Sequence, residues 1–241
     1  MTGPRFAVYW APPPGSELAQ FGNRWLGRDA ETGEPPGPAC ADRPMGHDQA
    51  VADARRYGFH ATLKPPFRLR DGVRTEEVAH AVQALAARLS PIEALRLDLA
   101  SLDGFLALTP LMEHAELAEL ARRCVEDLDW LRAPADAGEL ARRRAAGLTP
   151  RQDALLLRWG YPYVMEEFRF HMTLTRRLAP QESMSLREAL KPLAERACQA
   201  PIRLDSICLF VQTEPGADFT VRLRAPLRGR SQTAAASRRS D

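Results

Sequence analysis

Two rhythms of apolar and polar residues run along this chain, a period of two that marks strands and a period near 3.6 that marks helices. Residues 5–11, "RFAVYWA", predict a strand that stops at Pro12-Pro13-Pro14. Residues 17–26, "ELAQFGNRWL", predict a short helix capped by Ser16. Residues 27–48 are rich in Gly, Pro and Asp and read as loop. "QAVADARRYG" predicts one or two helical turns ending near Gly58. A strand over 59–64 follows, with Pro65-Pro66 as its stop. Residues 75–89 have helical spacing and acids in the first turn, where they suit the helix dipole. "LRLDLASLDGFLALTP" predicts two strands around a turn near Asp103-Gly104. "LMEHAELAELARRCVEDLDWL" is strongly amphipathic at helical spacing, and helical blocks follow at 136–146 and from Thr149-Pro150 to about Trp159. A second motif strand falls within 164–177, then a helix over "SLREALKPLAERAC" and a terminal hairpin from "PIRLDSICLFVQTE" and "DFTVRLRAPL".

Helices and hairpin-like strand pairs are interleaved. That predicts an α+β fold of antiparallel sheets with flanking helices, not a doubly wound parallel sheet. Residues 1–229 read as one domain, and residues 230–241, which lack apolar periodicity, read as a disordered basic tail.

Within this pattern one phrase occurs twice. "YGFHATLKPPF" (57–67) and "FRFHMTLTRRL" (168–178) both contain Phe-His-x-Thr-Leu, with His60 and His171 separated by 111 positions (171 − 60). Strand alternation puts Phe59, Ala61 and Leu63 on one face and His60, Thr62 and Lys64 on the other. It likewise separates Phe168, Phe170, Met172 and Leu174 from Arg169, His171, Thr173 and Thr175. Each motif strand thus has a core side and a side carrying His and Thr together. A lone His-x-Thr is most simply a hydrogen-bonded residue on a sheet surface. Two matched copies point to one shared site.

Composition narrows the partners. The 241 residues carry a net charge of +2, too balanced to argue for nucleic acid or anionic membranes. No run of about 20 apolar residues is present and the N-terminal apolar run is too short for a signal peptide, so the chain reads as cytoplasmic. The four cysteines, Cys40, Cys124, Cys198 and Cys208, form no CxxC pair and read as reduced structural residues.

Paired histidines do a narrow chemistry. Near pH 7 neutral imidazole accepts a proton and imidazolium donates one. Two on opposite sides of a substrate can serve as base and acid in one displacement. Threonine hydroxyls two residues away can donate to an anionic oxygen. A phosphodiester fits this set, with no metal required. A metal site is the rival, but His47 reads as loop and His80 and His114 fall in helical blocks. An extended strand would hold Glu167 roughly 13 Å from His171, where it reads as a surface charge.

The paired motifs resemble those of the two-histidine (2H) phosphoesterase superfamily. The flanking segments "RFAVYWAPPPGSELAQFGNRWLGRDAETG" and "LLLRWGYPYVMEEFRFHMTLTRRL" look like a bacterial branch found with phosphonate-utilisation (carbon–phosphorus lyase) genes. The resemblance implies two lobes with pseudo-two-fold symmetry around a central cleft. It implies His60 and His171 as catalytic residues, and Thr62 and Thr173 as phosphate-binding ones. The implied substrate is a 2′,3′-cyclic nucleotide-like or cyclic ribose phosphate, with an RNA end as another phosphorylated partner, and no cofactor, metal or membrane. A non-catalytic binder of phosphorylated nucleotide or RNA ends is the alternative. Lys64, Tyr57, Tyr9 and Arg177 are further substrate-binding candidates by placement. For Tyr9, Tyr57 and Trp10, and for "WGYPYV" (159–164), core packing is the competing role.

Overall fold

The structure is a computed structural model that describes residues 3–37 and 44–229. Cys40 and the 230–241 tail lie outside the described residues. In chain order the elements are β1 (Arg5–Trp10), α1 (Glu17–Leu26), α2 (His47–Tyr57), β2 (Ala61–Phe67), α3 (Thr75–Ala86), β3 (Ile92–Leu95), β4 (Leu97–Leu102), β5 (Phe105–Pro110) and α4 (Ala115–Asp127). There follow α5 (Ala137–Arg144), α6 (Pro150–Trp159), β6 (Met172–Thr173), α7 (Pro180–Ala197), β7 (Ile202–Leu204), β8 (Ser206–Gln212) and β9 (Thr220–Pro226).

Local signals explain most boundaries. Ser16 Oγ accepts from Ala19 N–H at 3.1 Å to open α1, and Gly27 closes it at φ 75°. Thr149 and Gln152 form a capping box at the start of α6, with Pro150 in its first turn. Asp103 and Gly104 both have positive φ (46° and 90°), the combination a tight two-residue hairpin needs between β4 and β5.

The strands form an antiparallel sheet ordered β4-β5-β6-β2-β1-β8-β9, with a separate β3-β7 pair. The fold is therefore α+β with antiparallel sheets and flanking helices, as the pattern predicted. The two motif strands sit side by side in the middle. They join β4-β5 on one flank to β1-β8-β9 on the other. Both faces of β1 are buried: Phe6, Val8 and Trp10 enter the main core, while Ala7, Tyr9 and Ala11 enter a smaller cluster with Cys208, Phe210 and Phe219. That explains why β1 reads as an unbroken apolar run.

Three expectations are corrected. First, α2 begins at His47, inside the segment read as loop, and His47 is buried with its ring edge-on to Trp25 at 4.5 Å. Second, β2 does not stop at Pro65-Pro66 but runs to Phe67. Its pairing to β1 is irregular over this stretch, and β6 meets it only at Ala61, so the missing proline N–H groups interrupt no regular ladder. Third, the second motif strand is two residues long, and Met165–Glu167 is a 3₁₀ turn rather than strand. The backbone on either side finds partners elsewhere: Phe168 N–H donates to Met165, Arg176 N–H to Ala50 and Leu178 N–H to Gly104.

Candidate active site

Ala61 and Met172 are antiparallel partners. One step either way along that register puts Thr62 across from His171 and His60 across from Thr173. Cross-strand neighbours of this kind have Cβ atoms about 5 Å apart. The central residues Ala61 and Met172 are fully buried, as are Leu63 and Leu174. The four polar side chains therefore share the opposite face, arranged with a local two-fold symmetry.

Both histidines are held in the same way. His60 Nδ1 donates to the Gly58 carbonyl at 2.9 Å, and His171 Nδ1 to the Arg169 carbonyl at 2.7 Å. A carbonyl only accepts, so this assigns the hydrogen to Nδ1 and leaves Nε2 as the acceptor nitrogen of each neutral ring. The Nε2 of His60 lies 3.2 Å from Thr62 Oγ1.

Burial pushes the His60 pKa down to about 4; the Gly58 bond opposes this and nearby His171 adds to it. Burial also lowers the His171 pKa, opposed by the Arg169 carbonyl, deepened by the Arg169 guanidinium and opposed again by Asp103.

A cleft of about 480 Å³ opens beside His171 and Thr62, a volume suited to a small metabolite. Its walls include Phe105, Tyr161, Phe168, Asp103 and Arg177. Among the described residues, no group of three or more His, Cys, Asp or Glu side chains is placed to hold a metal ion.

The weaker candidates divide. Tyr9 is buried and stacks on His60, centroids 3.8 Å apart and planes 20° apart. Tyr57 stacks on Phe219 at 5.2 Å and stands 6.3 Å from His60. Arg177 is exposed on the cleft rim. Trp10 faces the main core against Phe170.

Lys64 is not on the polar face. The β1–β2 pairing shifts by one residue between Tyr9↔Thr62 and Val8↔Lys64. This bulge turns Lys64 to the side of Val8, re-aiming a side chain beside the site. There its Nζ is buried, donates to the Val125 carbonyl at 3.1 Å and lies 3.7 Å from Asp129. Burial lowers its pKa to about 8, against the pull of Asp129.

Thr175 is also off the polar face: it is buried, and its Oγ1 accepts from Leu106 N–H at 2.9 Å. Glu167, read as a distant surface charge, lines the cleft and accepts from Gln152 Nε2 at 2.9 Å, because the 3₁₀ turn folds it back. Tyr161, Phe105 and Gln152 carried no signal in the sequence beyond core-like or capping patterns. The buried thiols of Cys124 and Cys208 are pushed up to about 12 and about 11, which suits inert structural residues.

The chain belongs to the family described as "Protein of unknown function (DUF1045)", whose model matches residues 62–220. It is 40% identical over 241 residues to a Janthinobacterium sp. (strain Marseille) protein named "Ribose 1,5-bisphosphate phosphokinase PhnN", covering 95% of this chain and 52% of that protein. A Laribacter hongkongensis (strain HLHK9) protein of the same name is 40% identical over 219 residues, covering 89% of this chain and 50% of the relative. The chain thus spans about half the length of the curated relatives it matches. Similar solved structures include E. coli LigT complexed with NADP+ (TM-score 0.42, 15% identity, 95% of this chain and 99% of that one). Another is TT0787 of Thermus thermophilus (TM-score 0.44, 16% identity, 94% and 100%). Among the described residues, no helix is long and apolar enough to cross a membrane.

Proposed function

We propose that this chain is a cytoplasmic, metal-independent phosphodiesterase of the two-histidine type that opens a cyclic phosphate on a ribose. The observation that carries this reading is the pairing of the two His-x-Thr motifs on adjacent strands. The two histidines and two threonines share one face of the paired strands, and His171 and Thr62 line the adjoining cleft. In the reaction, one Nε2 takes a proton from water as its oxygen attacks phosphorus. One ring P–O bond breaks, and the other histidine protonates the departing oxygen. The hydroxyls of Thr62 and Thr173 hold the non-bridging oxygens. The result is addition of one water and a phosphomonoester product.

The name of the curated relatives favours a phosphorylated ribose over a nucleotide. Their kinase activity is not carried over. The chain has two lysines, Lys64 and Lys191, and each follows a leucine, so no Gly-Lys phosphate loop is present. We assign the kinase activity to the part of those relatives that this chain does not match.

The test is a turnover screen of 2′,3′-cyclic nucleotides and ribose cyclic phosphates, with and without EDTA. His60→Ala and His171→Ala should each lower turnover by about 10²–10⁴-fold while the fold persists. Full activity in either variant would refute the acid–base reading, and loss with EDTA would favour a metal. Tight binding without product would make the chain a binder of phosphorylated ends.

A further inference from the structure

The two halves of the site match in sequence but not in surroundings. His60 is stacked flat on Tyr9. Phe210 stands 5.9 Å away and Tyr57 6.3 Å, so three aromatic rings neighbour it. Tyr9 is set in β1 directly opposite Thr62 of β2 and Cys208 of β8, and it belongs to the second apolar cluster. His171 has Phe105 as its aromatic neighbour, at 5.6 Å and tilted 55°, and it borders the open cleft. The titratable groups facing His60 are Tyr9, Tyr57 and His171, with Tyr161 just beyond them. Those around His171 are Asp103 from the β4–β5 turn, Arg169, Glu167 and Arg177.

Resting on the phosphodiesterase reading, we propose that Tyr9 is a positioning residue that makes His60 the base of the pair and leaves His171 to act as the acid. A flat ring against His60 keeps water from one whole face of the imidazole. That disfavours imidazolium and leaves the Nε2 lone pair available. It also fixes the ring plane, while the Gly58 carbonyl fixes its rotation and tautomer. Thr62 Oγ–H donates to that lone pair until substrate phosphate draws the hydroxyl away. His171 lacks such a stacked ring and borders the open cleft, where the Asp103 carboxylate pulls toward the protonated form while burial and the Arg169 guanidinium pull against it. In the step itself, water loses a proton to His60 Nε2 and its oxygen bonds phosphorus. The ring P–O bond breaks, and the proton on His171 Nε2 passes to the leaving oxygen. Solvent then returns both rings to their starting states.

A leaving group that needs no proton separates the two roles. On a linear phosphodiester ending in p-nitrophenolate, His171→Ala should come within about tenfold of the parent, while remaining about 10²–10⁴-fold down on the cyclic phosphate. His60→Ala should be impaired on both. The reverse pattern overturns the assignment. The acidic limb of kcat/KM reports the base in the free enzyme. Tyr9→Leu, which removes the stacking face, should move that limb up toward about pH 6.5, the ordinary histidine value, and lower kcat with KM little changed. Tyr9→Phe should leave the limb where the parent has it. A folded Tyr9→Leu variant with the parental limb would overturn the role of Tyr9. Full turnover in both histidine variants would instead refute the phosphodiesterase reading.

Discussion

Thr175 tests how the second motif is held. β6 is two residues long, so its own ladder cannot fix the register of His171 and Thr173. The register is fixed just downstream. Leu174 N–H donates to the Leu106 carbonyl at 2.9 Å, and Thr175 Oγ1 accepts from Leu106 N–H at 2.9 Å. Trp25 Nε1–H of α1 donates to the Leu174 carbonyl at 2.9 Å. Leu106 is wholly buried and Thr175 nearly so. Thr175→Val keeps the shape and removes the acceptor, leaving a buried N–H unpaired. Such a group costs about 1–3 kcal/mol, or roughly a 5- to 150-fold loss in the folding equilibrium. Urea unfolding followed by tryptophan fluorescence should show a lower midpoint with an unchanged m value. Turnover should fall as well, because His171 and Thr173 are placed by the same anchor. A midpoint equal to the parent's would refute the reasoning.

The same geometry sets three further outcomes. His60 has a lower pKa folded (about 4) than unfolded, so the unfolded chain takes the proton first as pH falls. The stability this provides is complete above about pH 6.5 and is lost toward about pH 4, worth about 3 kcal/mol; His60→Asn should flatten the pH dependence of unfolding in that window, and an unchanged slope would contradict the burial argument. At Gly22 a Cβ would stand 1.9 Å from the Phe59 ring. Gly22→Ala gains about 1 kcal/mol of helix propensity but overpacks the residue before His60, and a thermal melt should show a net loss of about 1–3 kcal/mol; a higher melting temperature would show that Phe59 moves freely. Inorganic phosphate in the site should raise the pKa of both histidines, since an anion favours imidazolium; NMR titrations that superimpose with and without phosphate would place the anion elsewhere.

Much of the architecture is legible in the chain. Periodicity and caps set α1, α6 and the β4–β5 hairpin, because those signals are local: Ser16, Thr149 and Asp103-Gly104 act within a few residues of themselves. The repeated Phe-His-x-Thr-Leu singles out the four central residues, because strand alternation assigns faces without knowing the partner. Other features depend on contacts between distant segments. A one-residue bulge against β1 turns Lys64 away from His60, and no pattern within 57–67 records the register of a strand so much earlier in the chain. The 3₁₀ turn at Met165–Glu167, tied to α6 through Gln152 and Arg151, brings Glu167 to the cleft, while partners in α2 and the β4–β5 turn hold the backbone farther on, at Arg176 and Leu178. The stack of Tyr9 under His60 arises from β1 pairing with β2 and β8 at once. Sequence makes the two histidines look equivalent; long-range packing gives one a stacked aromatic seat and the other an open cleft.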